Sequence, residues 1–382
     1  MNKTIPERIL DRVNVPLMAW VGALLIYGTV MVASATEGMS SGLLTRHLVG
    51  VGVGLVPLVI AWLIDYTRLR GWQGPLIAFG AFLLISPRVP GLGTTAKGAT
   101  SWLQIADVRL FQPSEPAKLV FIVVLAAVIA SMKGRVDTPG RAMKVFAYLA
   151  GAVLLIMMQP DLGTGMVFVA LTFIMLIVGG LKGRYFAVLA VASVILIGAV
   201  LGLDPVLDKM AGSDVGLKDY QKNRLLVFID PDLDPHDAGY NLAQSKIAIG
   251  SGGLAGKGLG SGTQSNLHFI PERHTDFIFS VLGEELGFLG AVSLLGLYLA
   301  LLLTALAIAN SSRDLYGALI ATGVLGMWMF QILENVGMTV GMMPITGIPL
   351  PFMSFGSSAM VTNLGAVGLL LSVWSRRYGA GT

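Results

Sequence analysis

The sequence predicts an all-α polytopic membrane protein with about ten transmembrane helices, a long extracytoplasmic loop between helices 7 and 8, and a re-entrant-like loop between helices 9 and 10. Three observations predict it. Of 382 residues, 54% are hydrophobic and 13% charged, about half the charge of an average soluble protein. Apolar runs approaching the ~20 residues needed to cross hydrocarbon recur along the chain. Basic residues collect in alternate connections, as bilayer orientation requires. One membrane domain, residues 1–382, follows, with residues 204–275 as the long loop within it.

The spans fall near residues 15–34, 47–64, 72–86, 116–132, 145–158, 163–180 and 185–203, then 277–309, 315–336 and 358–374. The eighth is overlong and is expected to begin outside the hydrocarbon. Lys3, Arg8 and Arg12, then Arg68 and Arg70, then Lys133, Arg135, Arg141 and Lys144 lie in connections on one side. Lys182, Arg184, Arg313, Arg376 and Arg377 join them, whereas the connections after the fifth and ninth spans carry no Lys or Arg. Both termini are therefore expected in the cytoplasm, with the long loops outside. Ala33-Ser34-Ala35 imitates a signal-peptide cleavage site, but the apolar run before it is too long for one.

Composition also excludes. The 26 Lys and Arg against 22 Asp and Glu leave +4, too weak and scattered for nucleic-acid binding. With no cysteine, disulfides, thiolate metal sites and cysteine nucleophiles are ruled out.

Residues 204–275 hold nine of the 22 acids. Residues 217–229 read as a short helix ended by the turn Asp230-Pro231-Asp232-Leu233-Asp234-Pro235, since each proline blocks helical continuation. That turn fails the EF-hand pattern, having Pro235 and Asn241 where Gly and Glu are required. Residues 240–249 suit an amphipathic helix at the interface. Residues 250–262 contain seven glycines in thirteen positions and match no nucleotide fingerprint. Such a run allows backbone N–H groups to approach a phosphate, with Lys257 as counter-charge, or serves as a mobile linker.

Pro271-Glu272-Arg273-His274-Thr275-Asp276-Phe277 concentrates an acid, a base and an imidazole just before a membrane span. A partly desolvated carboxylate such as Asp276 can serve as a general base; the alternative is an N-cap. Glu115 and Lys118, at i and i+3, can pair on one helix face. Arg109, Gln112, Glu115 and Lys118 gather at the same outer level as Lys97, Trp102 and Gln159-Pro160-Asp161, which suggests a polar cavity. Glu284, Glu285 and Glu334 add acids inside apolar runs, where an unpaired acid is functional by default. Residues 341–355 carry no charge and three prolines, Pro344, Pro349 and Pro351. Irregular backbone this apolar is expected to dip back and line the same cavity.

Together, Lys97-Gly98 with Ser101-Trp102, Gln112 to Lys118, Gln159 to Thr164, Pro271 to Asp276, Gln244 to Gly253, Gly283-Glu284-Glu285-Leu286-Gly287, Asn335-Val336-Gly337-Met338 and Gly347 to Pro351 form an ordered set of signatures spanning nearly the whole chain. The set resembles the SEDS family of bacterial cell-wall polymerases, and within it the elongation branch rather than the division branch. The resemblance implies a ten-helix peptidoglycan glycosyltransferase that polymerises lipid II on the outer face of the cytoplasmic membrane, with Asp276 at the family's essential acid. It also carries over Trp102, Glu115 and Lys118 as cavity residues, and implies a class B penicillin-binding protein transpeptidase as partner. Lys97, Arg109, Lys257, Arg273 and His274 complete the candidate substrate-binding set. Arg109, Lys118, Lys257, Arg273 or a divalent cation, Mg or Mn, would stabilise the departing polyprenyl diphosphate; no organic cofactor is expected. A lipid II flippase and a noncatalytic scaffold of the elongation machinery are the competing readings.

Overall fold

The protein is described by a computed structural model covering residues 12–378 except 40–41, 90–92, 97–98, 106–107, 160, 184, 186–223, 225–226, 229, 231–233, 235–237 and 268. Its helices longer than four residues are α1 (Val15–Ala35), α2 (Leu43–Leu63), α3 (Gln73–Ile85), α4 (Ser114–Ser131), α5 (Pro139–Met157), α6 (Leu162–Val178), α7 (Ala238–Ser251), α8 (Ile278–Asn310), α9 (Leu315–Val340) and α10 (Ser357–Ser375). Seven of these are long and apolar enough to cross a membrane: α1, α2, α4, α5, α8, α9 and α10. The shorter α3 and α6 occupy the third and sixth expected spans. The seventh expected span, beyond Tyr185, lies outside the described residues, as does most of the helix expected at 217–229.

Helix starts are set locally. Asn14 accepts from the Leu17 N–H at 2.9 Å, Asp161 from Thr164 at 3.0 Å and Asp314 from Gly317 at 2.8 Å, each supplying an acceptor to otherwise orphaned N–H groups. Helices α4, α9 and α10 form the mostly buried centre. Peripheral helices show apolar side chains outward, as Leu48, Val49, Val53, Val56, Ile60 and Leu63 do on α2; lipid is the solvent for such a face.

One connection departs from the all-helical expectation. Residues between α3 and α4 form a small antiparallel sheet, order β1-β2-β3: β1 (Gly93–Ala96), β2 (Ala99–Ile105) and β3 (Val108–Phe111). Its threonine, tryptophan, isoleucine and valine content suits strands, and outside the hydrocarbon its edges can be hydrated.

Helix α8 is 33 residues long, about 50 Å at 1.5 Å per residue and too long for one crossing. It breaks at Gly287, whose φ of 64° and ψ of −160° only glycine adopts readily. The glycine-rich run fills the break. Lys257 N and Gly258 N donate to the carbonyls of Glu284 and Glu285 at 3.0 and 2.9 Å, while Phe288 N and Leu289 N donate to Gly253 and Leu254 at 2.9 and 3.1 Å. Backbone groups that a broken helix would leave unpaired at membrane depth are thereby satisfied. The run is thereby docked on the break in α8 rather than left as a mobile linker.

Helix α7 buries Ala238, Gly239, Leu242, Ser245 and Ala248. Ser245 Oγ bonds the Thr339 carbonyl and Ser280 Oγ, each at 2.6 Å, joining α7 to α9 and α8. The uncharged connection between α9 and α10 is buried at Ile345, Ile348, Leu350, Phe352, Met353 and Ser354. Tyr298 Oη donates to the Pro351 carbonyl at 2.6 Å.

Candidate active site

Asp276 sits at the end of the turn before α8. Thr275 N and Phe277 N both donate to the Glu272 carbonyl, at 3.2 and 3.1 Å, and Thr275 Oγ1 donates to Glu272 Oε2 at 2.9 Å. The cap position of α8 belongs to Phe277, with no side-chain capping bond among the described residues. The capping role weighed for Asp276 is therefore not what starts this helix.

Three consecutive carbonyls of the turn are fastened from the α9–α10 side. Phe355 N donates to His274 O at 2.9 Å, Ser354 Oγ to Thr275 O at 2.7 Å, and Asn335 Nδ2 to Asp276 O at 2.8 Å. The His274 ring lies 5.4 Å from that of Phe355. Asn335 Nδ2 also donates to Ile348 O at 2.8 Å. Two residues earlier in the loop, Thr346 Oγ1 donates to Glu334 Oε1. Between them Gly347, at φ +74°, faces the acid: a β-carbon there would lie 3.1 Å from Asp276 Oδ2 and 3.7 Å from Arg224 Nη1. Arg224 Nη1 donates to the Thr346 carbonyl at 3.4 Å.

A second polar group abuts the same loop. Glu115 and Lys118, 3% and 1% exposed, pair at 2.7 Å on the first turn of α4, and Glu115 Oε2 and Ser114 Oγ have no hydrogen-bond partner among the described residues. Gln112 N donates to Ser358 Oγ at 2.9 Å and Gln112 Nε2 to Asp161 Oδ2 at 3.3 Å. Asp161 caps α6 by accepting from Thr164 N, and a β-carbon on the neighbouring Gly163 would lie 3.1 Å from the Thr346 carbonyl oxygen. Residues 346–348 are thus the common border of the Asp276 turn and the start of α6.

Two candidate bases, Lys257 and Arg273, have partners within the protein. Lys257 Nζ pairs with the fully buried Glu284 at 2.7 Å, alongside donors from Thr263, Gln264 and Ser265. Its ion pair ties the glycine run to α8. Arg273, 1% exposed, donates through Nε to Ala35 O at 2.7 Å and through Nη2 to Glu37 O at 2.9 Å, tying the turn to the end of α1. Burial pulls the Arg273 guanidinium below its ordinary pKa, and the Glu285 carboxylate pushes it back up. Trp102 is half-buried in β2 opposite Thr94, and Arg109 pairs with Gln104 in β3. Lys97 lies outside the described residues. Sequence reasoning missed Arg224 beside Asp276, and it marked Glu334 and Asn335 without the two bonds that join them to the loop.

Residues 9–378 match the FtsW/RodA/SpoVE family, described as cell cycle proteins. Peptidoglycan glycosyltransferase MrdB of Escherichia coli K12 is 37% identical over 357 residues, covering 93% of this chain and 91% of that protein. Stage V sporulation protein E of Bacillus subtilis is 33% identical over 373 residues, covering 97% of each. A chain from a peptidoglycan synthase complex, described for its structural coordination of polymerization and crosslinking, superimposes with a TM-score of 0.77 at 32% identity, covering 96% of this chain and 98% of that one. Rod shape determining protein RodA of Thermus thermophilus superimposes with a TM-score of 0.69 at 29% identity, covering 96% and 97%. Fold and site define a multi-pass bacterial membrane protein with an acid fastened at one end of its helical bundle. The chain belongs to the FtsW/RodA/SpoVE family, as its ordered motifs led us to expect.

Proposed function

We infer that this chain is a peptidoglycan glycosyltransferase that polymerises lipid II into β-1,4 glycan strands during cell elongation. The observation that carries the reading is the fixed, half-buried Asp276, its backbone held from α9 and its carboxylate facing Gly347. The names of the relatives support the activity, and the positive-inside distribution supports a site on the extracytoplasmic side with both termini in the cytoplasm.

In the reaction, Asp276 accepts the proton of an acceptor GlcNAc C4 hydroxyl as that oxygen bonds the anomeric carbon of a donor MurNAc. The bond from that carbon to the polyprenyl diphosphate oxygen breaks on the opposite face, taking its electron pair. Inversion of an α-linked donor leaves a β link, so no covalent enzyme intermediate is needed. Negative charge grows on the diphosphate. Arg224 is the base beside Asp276, and Lys118 sits at the start of α4; both suit that charge. Among the described residues no group of three or more His, Asp or Glu could hold a metal ion. A divalent cation would have to be held by Asp276 together with the substrate's own phosphates, and would supply positive charge to the departing diphosphate. A class B penicillin-binding protein transpeptidase is the partner that would cross-link the product, consistent with the synthase complex among the structural neighbours.

The test is purified protein with lipid II in detergent, where there is no membrane to cross. Glycan polymer supports the enzyme. Translocation in vesicles without polymer would support a flippase instead.

A further inference from the structure

We propose that Glu334 and Asn335 are positioning residues for Asp276, acting as a two-point clip on the loop that walls the acid. The proposal rests on Asp276 being the general base. Adjacent residues of α9 grip the loop on both sides of Gly347: Glu334 accepts from Thr346 Oγ1, and Asn335 donates to Ile348 O at 2.8 Å. The same Asn335 amide nitrogen donates to Asp276 O at 2.8 Å. One side chain therefore fixes the distance between the acid's own backbone and the loop its carboxylate faces.

Both clip residues are fully buried, with 0% exposure, so neither is spent on solvation or on a surface contact. An asparagine is the suited residue, because one NH₂ group supplies two donors for two carbonyls. Gly347 makes the clip consequential. Its missing side chain leaves Asp276 Oδ2 3.1 Å and Arg224 Nη1 3.7 Å from the place a β-carbon would occupy, so a small shift of residues 346–348 changes where acid and guanidinium meet. Arg224 is itself held to Thr346 O, and moves with the loop. Loosening the clip should leave substrate binding in place and blur the angle at which the carboxylate meets the acceptor hydroxyl. Misplacement of this kind costs turnover rather than affinity.

Thr346→Val removes the hydroxyl that Glu334 accepts while keeping the shape, and Thr346→Ser restores it. Asn335→Asp replaces the two donors by acceptors at constant size. Each variant, with Asp276→Asn as control, is purified and its kcat, KM for lipid II and Tm are measured. Expected are roughly 10- to 100-fold losses of kcat in Thr346→Val and Asn335→Asp with KM within about twofold, and near-normal kcat in Thr346→Ser. If Asn335→Asp does not fold, the Thr346 pair alone decides. Should Asp276→Asn be inactive while Thr346→Val keeps full kcat, the clip is refuted and the base assignment survives. If Asp276→Asn turns over normally, the base assignment itself fails. A kcat loss equal in Thr346→Val and Thr346→Ser, tracking Tm, would reduce the contact to structural support and overturn the proposal.

Discussion

Gly347→Ala puts one methyl group where the account says there is no room for it. The residue sits at φ +74°, a left-handed conformation that costs an L residue roughly 1–2 kcal/mol. Its new β-carbon would stand 3.1 Å from Asp276 Oδ2, a contact that obliges the carboxylate to yield by a few tenths of an ångström. A displacement of 1 Å can cost about 100-fold in rate, so the smaller shift should cost roughly tenfold, or about 1.4 kcal/mol of transition-state stabilisation. The assay is steady-state polymerisation of lipid II by purified protein in detergent, with thermal unfolding followed in parallel. Expected are a tenfold lower kcat, a KM within about twofold of wild type, and a modestly lower Tm. Full kcat in a protein whose Tm has dropped would show that strain arrived without moving the acid, and would refute the reasoning.

The other predictions concern what holds the site. Glu284→Ala should destabilise the protein more than Lys257→Ala, because it strands the backbone donors of Gln264 and Ser265 at about 1–3 kcal/mol per buried group, whereas Lys257 is 26% exposed and can turn to water; Tm values in the reverse order would contradict this. Gly287→Ala should sharply lower the yield of folded protein, since its β-carbon would collide with Gly256 N at the break in α8, and thermal unfolding reads the loss. Arg273→Lys should lower Tm, as one ammonium cannot reproduce the bonds from Nε and Nη2 to two separate carbonyls. Lys118→Met leaves Glu115 buried without its 2.7 Å partner; a cost of about 3–5 kcal/mol is expected, read by denaturation.

Membrane helices were legible because hydrocarbon forces the backbone to satisfy itself, so apolar length alone marks them. Asp276 was legible as a charged residue beside a span and as part of an ordered motif. The break in α8 was not, since Gly287 is completed by Gly253 and Leu254, whose carbonyls come from a run read as a linker or cradle. The small sheet was hidden in a connection too short for periodicity to register. Lys257 and Arg273 looked available because composition counts charges without their partners. Glu284 lies 27 residues from Lys257, and the carbonyls that hold Arg273 lie 238 and 236 positions away. The same distance in sequence concealed the link from Asn335 to Asp276, 59 residues apart.

The most direct test of the central claim is the rate at which purified Asp276→Asn polymerises lipid II, compared with wild type at equal amounts of folded protein. A loss of about 10²- to 10⁴-fold is expected, with lipid II still bound. Turnover near wild type would contradict it.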